Sequence, residues 1–145
     1  MQSLSRTGVS LAKLFAKLIN NRFSEDLKDI DVITPVPMHK LKRIFRGYNP
    51  PQILAQELSK KLAKPFLPNL LIKKRLTKNQ VGLAKKGRTQ NILGSFELNK
   101  NFNIRDKVIL LVDDVITTGA TTTECTKILK RGKAGSVKLV TIARV

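Results

Sequence analysis

Val108-Ile-Leu-Leu-Val-Asp113-Asp114-Val115-Ile116-Thr117-Thr118-Gly119-Ala120-Thr121 organises everything else in this chain. Its first five residues are a near-continuous Val, Ile and Leu run, the pattern of a strand buried on both faces. Two acids follow, then a small, hydroxyl-rich turn, and a helix is expected from Ala120 or Thr121 to Gly132. Ligands of open α/β sheets sit beyond the carboxyl ends of the strands, where this turn must lie. Thr117 to Thr121 offer consecutive backbone N–H groups, three hydroxyls and a helix N-terminus, the equipment to hold one phosphate. Gly119 permits a backbone conformation or a close approach that a side chain would block. Adjacent carboxylates repel a phosphate, so Asp113 and Asp114 make sense only if the ligand also brings sugar hydroxyls, magnesium, or both. Singly, the acids read as a solvated strand end and the turn as an ordinary helix cap. Together they describe a phosphorylated ribose.

The flanking sequence agrees. Val9, Leu11, Leu14, Phe15, Leu18 and Ile19 recur at helical spacing, so a helix is expected over Gly8 to Phe23, with the acidic stretch Ser24 to Asp31 as a loop. Val32-Ile33-Thr34 reads as a short strand stopped by Pro35 and Pro37. Asn49-Pro50 reads as an N-cap and first turn of a helix reaching Pro65. Further strands are expected over Asn69–Ile72, Ser95–Leu98 and Val137–Val145. Strands alternating with helices predict an α/β fold with a mainly parallel sheet of four to five strands and flanking helices. All 145 residues are read as one domain, with residues 74–94 as a flexible loop over the site.

Charge narrows the ligand class. The chain holds 28 Lys and Arg against 10 Asp and Glu, a net +18. Residues 32–112 hold 17 of those cations and only three acids. Such an excess of positive charge attracts polyanions. One Cys, Cys125, excludes an internal disulfide and a Cys-based zinc site within the chain, and it reads as a small buried residue. No apolar run approaches the length of a membrane span, and Met1 to Lys17 lacks the apolar core of a secretory signal, so a cytoplasmic location is expected. A Gly-x-x-x-x-Gly-Lys-Ser/Thr loop and a Gly-x-Gly-x-x-Gly turn are both missing, which removes nucleoside triphosphate and dinucleotide readings.

Residues 108–121 resemble the phosphoribosyl-pyrophosphate (PRPP) motif of type I phosphoribosyltransferases, which implies that fold. Pro35-Val36-Pro37, Arg46-Gly47-Tyr48-Asn49 and Ile53-Leu54-Ala55 are similar to the ComF family of competence proteins. So is the spaced set Arg75, Thr77, Gln80, Leu83, Arg88, Asn91, Gly94 and Phe96. The chain departs from that pattern at Pro50-Pro51-Gln52, where Asn49 is usually followed directly by Gln, and in having no four-cysteine zinc module. The resemblance implies that Asp113 and Asp114 are the catalytic acids, holding the ribose 2′ and 3′ hydroxyls with Mg2+ nearby and reached through water. It implies that Thr117, Thr118, Gly119, Ala120 and Thr121 hold the 5′-phosphate.

The pyrophosphate then needs donors of its own. The loop after Pro37 offers Met38 and His39 amides and the Lys40, Lys42, Arg43 and Arg46 side chains; Arg46 is favoured because guanidinium binds phosphate bidentately. In the loop over the site, Gln80, Lys85, Lys86, Arg88 and Asn91 are candidates for pyrophosphate or acceptor contacts. His39 reads either as a base or as a polar surface residue, and Tyr48 either stacks a base or packs in the core. One ligand with about five negative charges leaves much of +18 unexplained. The ComF resemblance implies a PRPP- and magnesium-binding protein that assists uptake of single-stranded DNA, with a competence or DNA-translocation protein as partner. The alternatives are a salvage phosphoribosyltransferase that releases pyrophosphate from PRPP, and a PRPP sensor without catalysis. Oligomeric state is not legible in the sequence.

Overall fold

A computed structural model of the chain describes residues 2–38, 47–74 and 92–145. A long helix, α1 (Gln2–Leu27), leads into strand β1 (Val32–Pro35), helix α2 (Pro50–Leu62), the short strands β2 (Leu71–Lys73) and β3 (Phe96–Leu98), strand β4 (Val108–Ile116), helix α3 (Ala120–Arg131) and strand β5 (Ser136–Arg144). β4 is the centre of a parallel sheet ordered β1-β4-β5. Thr34 lies opposite Leu111, and Leu111 opposite Leu139.

The apolar run of β4 is explained by what covers it. Ile109 and Leu111 pack with Cys125, Ile128 and Leu129 of α3 and with Leu70, Leu71 and Phe96. Leu110 and Val112 point the other way, to Ala16 and Leu27 of α1 and Leu54, Ala55 and Leu58 of α2. Alternate residues thus fill two cores, one on each face. Cys125 is fully buried in the first, and burial pushes its thiol up to about 12, so it stays protonated and inert.

All five strands expected from the sequence exist, but they divide between two sheets: three form the parallel sheet, and β2 and β3 form a separate antiparallel pair with Lys73 opposite Phe96. Among the described residues the edge beyond β1 carries a single parallel bridge, Ile33 to Phe66, with Ile33 N–H on the Pro65 carbonyl. Pro65 and Pro68 bracket that contact, and proline cannot extend a ladder. β1 also runs one residue further than expected, because Pro35 faces this sparsely paired edge while Val36 donates its N–H to Val112.

Two further boundaries differ. α1 continues through Ser24–Leu27 after a kink at Phe23 (φ −124°, ψ 23°), where a loop was expected. Asn49 does occupy the N-cap of α2, but its side chain makes no capping bond. An Asn cap serves the N–H of the second or third helical residue; Pro51, the second, has none to offer, and the Asn49 side chain does not take up that of Gln52, the third. The C-cap expectation for α3 holds, with the Gly132 N–H on Ile128 O.

Candidate functional site

The site is built at the carboxyl end of β4, and the acids lie inside the strand rather than beyond it. β5 continues alongside, with Asp113 opposite Thr141 and Val115 opposite Ala143. Neighbouring strand residues leave on opposite faces. Asp113 follows Ile109 and Leu111 toward α3, and Asp114 follows Leu110 and Val112. Each carboxylate accepts the N–H of the next residue at 2.9 Å: Asp114 N–H on Asp113 Oδ1, and Val115 N–H on Asp114 Oδ1. Thr141 Oγ1 donates to the Asp114 carbonyl at 3.1 Å, which ties the acid pair to β5.

Asp113 is 9 % exposed. Burial, opposed by its bond from the Asp114 N–H and assisted by the Asp114 charge, raises its carboxyl to about 7. A carboxylate held this far from water is poised for a partner that brings hydroxyl donors or positive charge.

The turn after β4 has the shape that anion binding needs. Gly119 is the N-cap of α3 in the left-handed region (φ 76°), and no side chain caps the helix. The Ala120 N–H goes to Thr118 Oγ1 at 3.3 Å, and Thr122 Oγ1 donates back to the Gly119 carbonyl at 3.0 Å. Residues 115–122, with Asp113 and Ile92, line an open hollow of about 40 Å³. That is room for roughly three water-sized spheres, the scale of a phosphate group. No acid stands in the first turn of α3, so the positive end of its dipole is uncompensated there.

The structure therefore brings Thr117, Thr118, Gly119, Ala120 and Thr121 together with Asp113, and leaves Asp114 outside the hollow's wall. It adds Val115, Ile116, Thr122 and Ile92. Thr122 was legible as a hydroxyl in the first turn of the helix. Ile92 was not, since only the fold carries it from the far side of β3.

At Gly119 a Cβ would meet Thr122 Oγ1 and Ile116 Cγ2 at no closer than 3.9 Å, so space is not the constraint; the backbone angle is. Gly119→Val is expected to weaken phosphate-ligand binding about tenfold, the effect of about 1–2 kcal/mol of left-handed strain, whereas Gly119→Asn tolerates that conformation and loses less. Equal losses for the two variants in calorimetry would contradict this account.

Of the anticipated pyrophosphate residues, Met38 is half-buried just past β1. His39, Lys40, Lys42, Arg43 and Arg46 lie outside the described residues, as do Gln80, Lys85, Lys86, Arg88 and Asn91. Tyr48 is half-buried. Met38 also borders a second cavity, of about 490 Å³, between the end of β1, the start of α2 and the approach to β2. Asn49 lines it, 7 % exposed, and its Oδ1 has no hydrogen-bond partner among the described residues. An unpartnered buried acceptor costs about 1–3 kcal/mol.

Magnesium prefers oxygen ligands, and the carboxylates of Asp113 and Asp114 are suitable donors. Among the described residues no cluster of three or more His, Cys, Asp or Glu could hold a metal, so the rest of its shell would have to be ligand oxygens and water. The donor chemistry fits an ion carried in with a phosphorylated sugar.

Known proteins resemble this chain in sequence and in fold. Competence protein F of Haemophilus influenzae is 34% identical over 137 residues, 93% of this chain and 60% of that protein. DNA utilization protein YhgH of Escherichia coli K12 is 28% identical over 131 residues, 90% of this chain and 57% of that protein. The chain thus spans about three fifths of the length of these curated relatives. The crystal structure of an adenine phosphoribosyltransferase superposes with a TM-score of 0.58 at 17% identity, covering 93% of this chain and 68% of that one. The phosphoribosyl transferase domain family matches residues 52–145, which include the acid pair, the threonine turn and both helix-flanking strands around them, and the chain belongs to that family.

Proposed function

We propose that this chain binds PRPP with magnesium, in a ComF-type protein that assists the handling of incoming single-stranded DNA in the cytoplasm. The observation that carries the PRPP reading is the hollow at the start of α3, where an uncapped helix N-terminus, a left-handed glycine and a threonine turn adjoin a buried acid. The 5′-phosphate would lie on residues 117–121, the ribose diol against Asp113 and Asp114, and pyrophosphate toward Met38 and, by the family resemblance, His39 and Arg46. Magnesium, when bound, supplies positive charge that offsets repulsion between carboxylates and phosphates. Asp113 and Asp114 orient the sugar, and Thr117, Thr118 and Thr121 donate to phosphate oxygens.

Calorimetry with PRPP, with and without magnesium, tests this reading. Saturable binding that strengthens with magnesium is expected, and no binding in either condition would remove the site assignment. A pyrophosphate-release assay across candidate acceptors separates a transferase from a sensor.

Support for DNA is the charge surplus together with the names of the relatives. Among the described residues no helix is long and apolar enough to cross a membrane. With only 5% aromatic residues, stacking contributes little, so binding should be electrostatic. For about four phosphate contacts, single-strand affinity is expected to fall roughly 50-fold between 50 and 200 mM salt. A fluorescence-anisotropy titration that stays flat over that range would sink the DNA claim. A competence or DNA-translocation protein as partner is part of the same proposal, testable by co-purification from a transforming cell.

A further inference from the structure

Residues 105–107 and 127–133 bring six cations and one acid, Asp106, to the amino end of β4 and β5. This is the end of the sheet away from the threonine turn. The 12 residues of α3 separate the two by about 18 Å, at about 1.5 Å each. We propose that this basic corner holds the phosphate backbone of a single strand, an assignment that rests on the DNA reading and gives it a place on the molecule.

Main-chain bonds fix the corner. The Asp106 N–H goes to the Lys133 carbonyl and the Gly135 N–H to the Lys107 carbonyl, each at 2.9 Å, so the loop before β4 lies against the loop after α3. Lys130 braces the second loop, its Nζ donating to the Ala134 and Gly135 carbonyls at 3.0 and 2.8 Å. The other five cations, Arg105, Lys107, Lys127, Arg131 and Lys133, are exposed, as is Asp106. Among the described residues none of the five joins an ion pair, whereas Lys28, Lys60, Lys74 and Lys138 each do. A surface that only confers solubility mixes the two signs. The helix dipole accounts for Lys130 and Arg131 in the last turn of α3, and not for the rest.

Lys133 carries its charge at a cost in stability. α3 ends with the Lys133 N–H on the Lys130 carbonyl and the Ala134 N–H on the Leu129 carbonyl. This ending places residue 133 in the left-handed region, and glycine is its usual occupant. Here a lysine takes the position, at φ 67°. The glycines on either side serve close packing instead. A Cβ at Gly135 would lie 2.7 Å from the Asp106 carbonyl oxygen, and one at Gly132 would run into the Leu98 and Ile104 side chains. An exposed lysine gains nothing from packing that would offset its backbone strain. A ligand that takes up its charge gives the strain a reason.

The cations also follow a line. Lys127 and Arg131 stand one helical turn apart, about 6 Å along α3, and Lys133, Arg105 and Lys107 continue past its end. That arrangement suits an extended polyanion bound through its backbone charges.

Fluorescence anisotropy with a labelled oligothymidylate 12-mer tests the placement against a control of equal charge. Arg105→Gln/Lys127→Gln/Arg131→Gln is expected to bind at least tenfold more weakly at low salt, and its slope of log affinity against log salt should be shallower by about 2, at about 0.7 per lost phosphate contact. Lys13→Gln/Lys17→Gln/Lys61→Gln removes the same charge from exposed positions of α1 and α2 and should stay within threefold of wild type. Lys133→Gly is expected to weaken strand binding while raising the melting temperature by about 2–5 °C, because glycine takes the left-handed position without strain. Equal losses in the two triple variants, or no loss in the first, overturn the placement and leave the DNA reading standing. No strand binding by wild type removes both. PRPP affinity on the same samples should stay within twofold of wild type, since the threonine turn lies at the other end of α3.

Discussion

Replacing Asp113 and Asp114 together by asparagine is expected to weaken PRPP binding in magnesium by about 100-fold or more. The magnitude comes from the contacts at stake. A charge-assisted hydrogen bond to a carboxylate contributes about 1.5–3 kcal/mol, and tenfold in affinity is about 1.4 kcal/mol. Two such bonds to a ribose diol, reduced because neighbouring sites do not add, still exceed about 3 kcal/mol. Asparagine keeps the shape and the acceptor oxygens, so the 2.9 Å bonds from the Asp114 and Val115 N–H groups survive and the fold should not suffer. What disappears is the negative charge, and with it the attraction for magnesium. The double variant should therefore also lose most of the magnesium dependence. Calorimetry with and without magnesium reads both effects, with circular dichroism as the check on folding. A double variant that binds as wild type does would mean that the acids are only part of the strand and take no part in ligand binding.

The fold and the glycine-threonine turn after β4 were legible because each is written in consecutive residues. Val108 to Val112 is apolar without alternation, and the structure shows why: Ile109 and Leu111 fill one core while Leu110 and Val112 fill the other. Gly119 stands where a left-handed residue is needed, and the structure gives it φ 76°. Features that depend on pairing were harder. Nothing in Leu71–Lys73 or Phe96–Leu98 says whether these residues extend the main sheet or pair with each other. Periodicity reports which face is buried, not which neighbour is chosen.

The continuation of β4 through the acids belongs to the same class. Asp113 and Asp114 have poor strand propensity, and they are strand residues because Thr141–Arg144 run alongside. Likewise, Ser24–Leu27 read as polar loop, yet Leu27 is buried against Ile33 and Leu58, and that packing draws the helix onward past Phe23. The cavity beside Asn49 was invisible for another reason. Its walls come from four separate segments of the chain, and an empty space has no residue of its own.

Asp113→Asn alone is expected to make the protein more stable at pH 8 while making it a poorer binder. The folded carboxyl titrates near 7 because burial disfavours its charge, whereas an ordinary aspartate titrates at 3.8. Between those values the folded chain keeps a proton that the unfolded chain has released, so stability falls as pH rises through this window. Below pH 4 both states are protonated and the substitution changes little. Above pH 7 the whole cost of the buried charge is present in wild type and absent in the variant. The full shift corresponds to about 4 kcal/mol; relaxation around the carboxylate lowers this, and about 2 kcal/mol is the expected gain at pH 8. Urea denaturation in chelator-treated buffer at pH 5 and pH 8 gives the comparison, and the gap between variant and wild type should widen by at least about 1 kcal/mol between them. A variant no more stable at pH 8 than wild type would show that Asp113 is already accommodated, by solvent or by the chain's own excess of cations. If the gap does widen, the sheet is carrying an acid that weakens it, at the one strand end where a phosphate turn begins, and ligand binding is what gives that charge a use.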